Sequence, residues 1–237
     1  MSQIDFPNVG VNHFFKEKKL FIGWRIKLFM EEQKKNDYTQ QWKNILDTEV
    51  LRGNINLIAM YIMVYEQLED TIISRPKDFY TTIEPDEEAQ KNYERYVLSL
   101  YDNKACPKIN SKNKALIASL IWFKNSGAID DNDIDIFSAS RTLRNEITHE
   151  MLSTITLGAE KVVDQFCMMY GLFSKIEKWW ILEIEVPIAG DYKPEEVDQD
   201  AVMSGNMILL DIIIDILVNN SNVNFKEACE KLGVPIR

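Results

Sequence analysis

Glycine and proline are scarce in this sequence, with nine glycines and seven prolines among 237 residues. These two residue types form many of the tight turns that join β-strands. Their scarcity therefore disfavours a many-turned β architecture, and we expect mainly helix. Hydrophobic residues make up 46% of the chain and charged residues 27%, which is an ordinary balance for a soluble globular protein.

The chain also lacks an excess of basic residues. Its formal net charge is −10, with 27 lysines and arginines against 37 aspartates and glutamates. This balance argues against a broad basic surface that would bind nucleic acid nonspecifically. A small basic pocket within an acidic protein is still compatible with it, so any nucleic-acid contact has to be local.

Cysteines are few, and no long apolar segment is present. The three cysteines are odd in number, far apart and outside any metal-binding spacing, which indicates reduced thiols: Cys106, Cys167 and Cys229. The N-terminus lacks the basic-then-apolar pattern of a signal peptide. The longest uncharged apolar run, from Ile55 to Tyr65, is shorter than the roughly 20 residues of a membrane span. We therefore expect a soluble cytoplasmic protein that does not enter a membrane.

The spacing of apolar residues and helix breakers predicts an all-α helical bundle with additional N- and C-terminal helices. Pro76 and Pro187 are expected to end helices, and Gly127 stands where a helix C-cap is expected. The predicted helices cover residues 13–35, 39–46, 48–74, 86–100, 112–125, 130–152, 159–184, 201–218 and 224–232. We divide the chain into an N-terminal helical extension (1–47), a bundle (48–187) and a linker with C-terminal helices that pack on the bundle (188–237).

Residues 141–150, with the sequence RTLRNEITHE, contain two of the seven arginines and one of the two histidines. On a helical wheel Ile136, Leu143, Ile147 and Met151 share an apolar face. The opposite face carries a polar stripe: Ser138, Arg141, Asn145 and His149. Arg144 lies beside the apolar arc, about 140° from His149 on an ideal helix.

Such a stripe suits phosphate chemistry. A histidine can take up or return a proton near neutral pH. An arginine can hold the charge that develops on a phosphate, and an asparagine can orient either group. Each chain offers only one imidazole here, so acid and base catalysis on one phosphodiester would be served better by two copies in a two-fold dimer.

A purely structural interpretation is also open. In it Arg144 pairs with Glu69 or Asp70, and His149 is an ordinary residue of a helix surface. Charged stripes on helices are mostly solvated, so this interpretation needs no ligand.

The segment Arg144-Asn145-Glu-Ile-Thr-His149 resembles the R-N-x-x-x-H signature of the HEPN superfamily. In that family, the pattern R-x(4–6)-H, with a polar residue directly after the arginine, marks the ribonucleases. The resemblance extends over residues 115–152, where a core helix, a glycine turn and an acidic helix start precede the motif helix.

The resemblance implies a bundle of HEPN type that dimerises with its two motifs facing each other. It also implies metal-independent cleavage of RNA through attack of the 2′-hydroxyl, in a toxin or antiviral defence effector. Arg144 and His149 then match the catalytic pair, and Asn145 matches the polar residue between them. Arg141 is outside the family pattern, but we predict that it contacts phosphate because it shares the face of His149.

Two features depart from the family. Members that are controlled by a partner nucleotidyltransferase often have a tyrosine two residues after the histidine, whereas this chain has Met151. The extensions also exceed a minimal domain, so an antitoxin or another regulatory protein is a possible partner. Two further hypotheses are kept: a non-catalytic HEPN-like module that binds a protein or nucleotide, and a structural subunit of a larger assembly.

Other motifs give weaker signals. Asp131, Asp133 and Asp135 have the spacing of a calcium loop, but Ile136 stands where that loop needs glycine. Asp211 and Asp215 suit a solvated stripe better than a metal site. Trp179 and Trp180 suit a core or a dimer interface. The sequence has no phosphate-binding loop, dinucleotide fingerprint or zinc spacing, so we expect no cofactor and no metal.

Overall fold

A computed structural model describes residues 39–81, 87–101, 109, 111–157, 160–190, 198 and 201–219. Every regular element within these ranges is helical and none is a strand, which confirms the all-α class predicted from the sequence. The predicted helices 13–35 and 224–232 lie outside the described residues, as does most of the loop that holds Cys106.

The helices are numbered in chain order. Helix α1 covers residues 39–46. The others are α2 (Thr48–Thr81), α3 (Glu87–Tyr96), a 3₁₀ turn (Leu98–Leu100), α4 (Lys114–Asn125), α5 (Asp131–His149), α6 (Met151–Leu157), α7 (Glu160–Trp180), a π-helical turn (Ile181–Glu185), α8 (Val186–Ala189) and α9 (Gly205–Asn219).

Helix α2 is the central element of the bundle. It contacts α3, α4, α5, α6, α7 and α9. Its buried side chains recur every three or four residues, which is the spacing of one helix face: Ile58, Tyr61, Tyr65, Leu68, Ile72 and Pro76. The apolar run from Ile55 to Tyr65 is buried in part, since Tyr61 and Val64 have no exposed surface whereas Ile55 is exposed.

Helix α2 continues past Pro76, so the prediction that it ends there is wrong. A proline inside a helix removes one backbone hydrogen bond, and tertiary contacts have to compensate for the loss. The next turn supplies them. Phe79 lies 6.2 Å from the ring of Trp180 and 6.4 Å from that of Trp122, within an aromatic cluster between α2, α4 and α7.

The turn between α4 and α5 agrees with its prediction. Gly127 adopts a left-handed φ of 79° just beyond the end of α4. At the other end of α4, Asn113 caps the helix by accepting hydrogen bonds from two backbone amides. Asp130 and Asp133 form a reciprocal capping box at the start of α5. The acidic segment therefore starts a helix, and Lys175 neutralises Asp133.

Helix α5 ends earlier than predicted. It was expected to run to 152, but the backbone leaves helical geometry at Glu150, with φ −122° and ψ 34°, and α6 begins at Met151. The break turns Met151 out of the packing face to which the wheel assigned it. Its side chain is 42% exposed, whereas Ile147, one turn earlier, is fully buried.

The C-terminal part of the bundle differs from its prediction at one proline. Pro187 was expected to lie just beyond a helix, but the chain stays helical through it, because the π-helical turn runs directly into α8 and Pro187 is the second residue of α8. Helix α9 packs on α2, and Asn56 Nδ2 donates a hydrogen bond of 3.1 Å to the carbonyl of Leu217. Among the described residues, no helix is both long and apolar enough to cross a membrane.

A buried ion pair joins α2 to α7 next to Pro76. Glu177 has no exposed surface, and its carboxylate accepts a hydrogen bond of 2.9 Å from Arg75 Nη2. The same guanidinium donates a hydrogen bond of 3.0 Å to Glu185, which is half exposed. It also lies 5.4 Å from the ring of Trp180.

Replacing Arg75 with methionine should therefore destabilise the fold, because it leaves the Glu177 carboxylate buried without a cation. We expect the free energy of unfolding to fall by about 3 kcal/mol, measured by urea denaturation. Glu185→Gln removes the exposed partner of the same arginine and should cost less than about 1 kcal/mol. Equal losses in the two variants would show that the buried Glu177 carboxylate does not depend on the Arg75 cation.

Candidate functional site on helix α5

The outer face of α5 lines an open cleft of about 380 Å³. This volume lies in the lower part of the range of small-molecule sites, roughly 300–1,000 Å³. All of its described lining residues belong to α5 or follow it directly: Ser138, Arg141, Thr142, Asn145, Glu146, His149 and Glu150. The polar stripe predicted from the helical wheel is thus the floor of this cleft.

The opposite face of α5 is held firmly by packing. Phe137 and Ile147 are fully buried, and the ring of Phe137 stacks on Tyr65 with a centroid distance of 6.0 Å. Ser140 is fully buried as well. Its carbonyl accepts a hydrogen bond of 2.9 Å from the Tyr61 hydroxyl, and its hydroxyl oxygen accepts one of 2.9 Å from Gln165. The polar face therefore projects from a fixed support.

Arg141 is held on the inner side of the cleft by two residues of α2. Its Nη1 donates hydrogen bonds of 3.0 Å to the Tyr65 hydroxyl and 3.1 Å to Glu69 Oε2, and that hydroxyl in turn donates to Glu69. Burial and the hydrogen bond to Glu69 raise the pKa of Tyr65, so its phenol stays protonated and remains a donor. Arg141 Nε is buried and has no hydrogen-bond partner among the described residues.

Arg144 lies outside the residues that line the cleft and pairs with Glu66, one turn before Glu69 on α2. Its Nε donates a hydrogen bond of 3.0 Å to Glu66 Oε1, and its Nη2 donates to the same oxygen. This contact raises the pKa of the Arg144 guanidinium above its usual value. The guanidinium carbon lies 5.7 Å from the centre of the Tyr65 ring, and Nη1 is 3.4 Å from Asn145 Oδ1.

Three of the four predicted site residues are therefore brought together in the cleft: Arg141, Asn145 and His149. Asn145 and His149 are exposed, and His149 is the last residue of α5. Arg144 is next to the cleft but points its donors at α2. The structural interpretation expected Arg144 to pair with Glu69 or Asp70, whereas its partner is Glu66 and Glu69 binds Arg141 instead.

Tyr65 and Glu66 were not identified as site residues from the sequence. A signal for the glutamates was present, because Glu66 and Glu69 are three residues apart and so are Arg141 and Arg144. Equal spacing on two neighbouring helices allows two parallel ion pairs. No sequence pattern, however, showed that this part of α2 packs beside this part of α5.

Carboxylates also line the cleft, since Glu146 and Glu150 are both exposed there. Among the described residues, no group of three histidine, cysteine, aspartate or glutamate side chains is arranged to hold a metal ion. Asp211, considered above as half of a metal pair, accepts a hydrogen bond from the Tyr170 hydroxyl. The cleft offers an imidazole, an amide and a guanidinium together with the carboxylates of Glu146 and Glu150 and two hydroxyl groups.

Comparison of the chain with protein-family models, with curated proteins and with solved structures gives no match.

The two ion pairs should differ in their contribution to stability. The side chains of Arg141 and Glu69 are 24% and 22% exposed, against 33% and 51% for Arg144 and Glu66. Glu69→Gln leaves a half-buried guanidinium without its carboxylate, and we expect a loss of about 2 kcal/mol in the free energy of unfolding. Glu66→Gln should cost less than about 1 kcal/mol.

Chemical denaturation of both variants and of the wild-type protein measures this difference. A larger loss in Glu66→Gln than in Glu69→Gln would show that exposure does not rank the two pairs.

Proposed function

We propose that the protein is a metal-independent endoribonuclease of the HEPN type that acts as a homodimer. The observation that carries the proposal is the cleft on α5, where His149 lies with Asn145 and Arg141 on a face that packing holds in place. The sequence of this face, with Arg144 followed by Asn145 and then His149, resembles the family signature.

The proposed reaction is the transfer of a phosphoryl group within the RNA strand. His149 accepts the proton of a ribose 2′-hydroxyl, whose oxygen then forms a bond to the adjacent phosphorus. The bond from phosphorus to the 5′-oxygen breaks, and that oxygen receives a proton. The products are a 2′,3′-cyclic phosphate and a free 5′-hydroxyl. Side chains carry out both proton transfers in this scheme, so it needs no metal ion.

Arginine supplies the cation for the phosphate in this scheme. Arg141 lines the cleft and contacts the phosphate of the bound strand. The family pattern assigns the transition-state charge to Arg144, whose guanidinium is adjacent to Asn145. An arginine serves this purpose because its donors form a rigid fork that matches two phosphate oxygens.

A second copy of the chain completes the site in this proposal. The described residues provide one wall of the cleft, which is α5 itself, and one imidazole. Two clefts that face each other across a two-fold axis would supply a base from one protomer and an acid from the other. Such a nuclease harms its own cell unless it is restrained, so an antitoxin or another regulatory partner forms part of the proposal.

His149→Ala should lower the rate of RNA cleavage in EDTA by at least about 100-fold, because it removes the group that transfers the proton. The measurement is the decay of a labelled RNA substrate by gel electrophoresis, with wild-type protein beside the variant. Circular dichroism and analytical ultracentrifugation provide the control, and both should show an unchanged fold and dimer. Undiminished cleavage by the variant, or a strict need for a divalent metal, would exclude this mechanism.

A second candidate is a module that binds a protein or nucleotide and cleaves nothing. It is favoured by the carboxylates of Glu146 and Glu150 in the cleft and by the ion pairs that engage both arginines. The same assay separates the two candidates. RNA that stays intact with the wild-type dimer would favour the binding module.

A further inference from the structure

The two arginines beside the cleft are held by their glutamates in different ways. Arg141 shares Glu69 with the Tyr65 hydroxyl, and all three side chains are largely buried. Among the described residues Glu66 accepts hydrogen bonds from Arg144 alone, and its side chain is 51% exposed. Only the second carboxylate can turn into solvent without leaving a buried partner unmatched.

Glu66 binds the edge of Arg144 that is best suited to a phosphate. Its Oε1 accepts from both Nε and Nη2, which form one side of the guanidinium fork. Two phosphate oxygens would use this same pair of donors. The ring of Tyr65 lies against the guanidinium, at 5.7 Å, and limits its movement. An anion that binds Arg144 through this edge therefore has to take the place of Glu66.

We propose that Glu66 is a displaceable counter-ion of Arg144, and that an RNA phosphodiester entering the cleft replaces its carboxylate on the Nε–Nη2 edge. This inference rests on the proposed function, since it names RNA as the anion. Glu66 then acts through Arg144: it weakens the binding of every polyanion and holds the guanidinium in place while the cleft is empty.

The exchange has a defined ionic balance. When a phosphate binds an arginine, it loses the cation condensed around it, and this release makes binding weaker at high salt. When Glu66 is displaced, its free carboxylate attracts a cation from solution. Binding to the wild-type protein therefore releases fewer cations in total, by at most about one, than binding to a variant in which Glu66 carries no charge.

The experiment measures binding of a labelled 2′-O-methyl RNA strand, which cannot be cleaved by 2′-hydroxyl attack, at several salt concentrations. Glu66→Gln should tighten binding by about two- to five-fold, which is the range expected for release of an exposed ion pair. The plot of log K against log salt should steepen, by at most about 0.7, which is the contribution of one cation released from a single strand.

Asp70→Asn is the matched control. Asp70 is exposed on the same helix, four residues beyond Glu66, and no hydrogen bond or ion pair joins it to another described residue. This variant changes the net charge by the same amount as Glu66→Gln but releases no arginine from an ion pair. It should leave the salt dependence unchanged. An equal gain in Asp70→Asn would show that net charge alone is responsible, and the inference would fail.

A double-mutant cycle tests whether the effect passes through Arg144. In an Arg144→Ala background, Glu66→Gln should change the affinity and the salt dependence no more than Asp70→Asn does, since no guanidinium is left to release. A full effect in that background, or no effect of Glu66→Gln in the wild-type background, would overturn the inference.

The proposed nuclease activity and the role of Glu66 can fail separately. RNA that stays intact while Glu66→Gln steepens the salt dependence would contradict the nuclease and leave the counter-ion in place. Normal cleavage of RNA, with binding and salt dependence unchanged in Glu66→Gln, would support the nuclease and contradict the role of Glu66.

Discussion

The packing of α5 against α2 and α7 is the contact on which the candidate site depends. A helix can present a row of polar groups in a fixed geometry only if its other side is held by the core. Here Phe137, Ser140 and Ile147 provide that hold, with no exposed surface at any of the three. Ser140 is the unusual member, because its hydroxyl and carbonyl oxygens are both satisfied by side chains of other helices, Gln165 and Tyr61. These hydrogen bonds fix the rotation of α5 as well as its position.

Helix α2 serves the site as well as the core. One of its faces buries Tyr61, Leu68 and Ile72, while Glu66 and Glu69 face α5. Tyr65 belongs to both regions, because its ring is buried and its hydroxyl joins the arginine network. The charges beside the cleft are thus set by the same helix that organises the bundle.

Much of the helical framework could be predicted from the sequence, because its signals are local. Gly127 and Asp130 mark helix ends through the local backbone geometry that these residue types favour, and both act as predicted. The polar stripe of α5 was also predictable, since it follows from helical periodicity alone. The cleft residues Arg141, Asn145 and His149 come directly from that periodicity.

The errors arise where distant contacts override a local rule. Pro76 ought to end a helix, but the aromatic contacts of Phe79 keep the chain helical beyond it. The break at Glu150 has no proline or glycine to announce it. The predicted partner of Arg144 was wrong by one turn of α2. Two glutamates on α2 are equally plausible until the position of α5 along the axis of α2 is known. Because arginine and glutamate side chains are long, a shift of a few ångströms between the two helices decides which glutamate pairs with Arg144.

The pair of Arg75 and Glu177 carries a consequence for how this sequence can vary over time. The two positions are 102 residues apart, and one of the carboxylates is completely shielded from water. Loss of the cation alone is costly, whereas two apolar residues of similar volume often fold as well as a buried pair. Descendants of this chain should therefore change positions 75 and 177 together, while Glu185, on the open side of the same guanidinium, is free to drift.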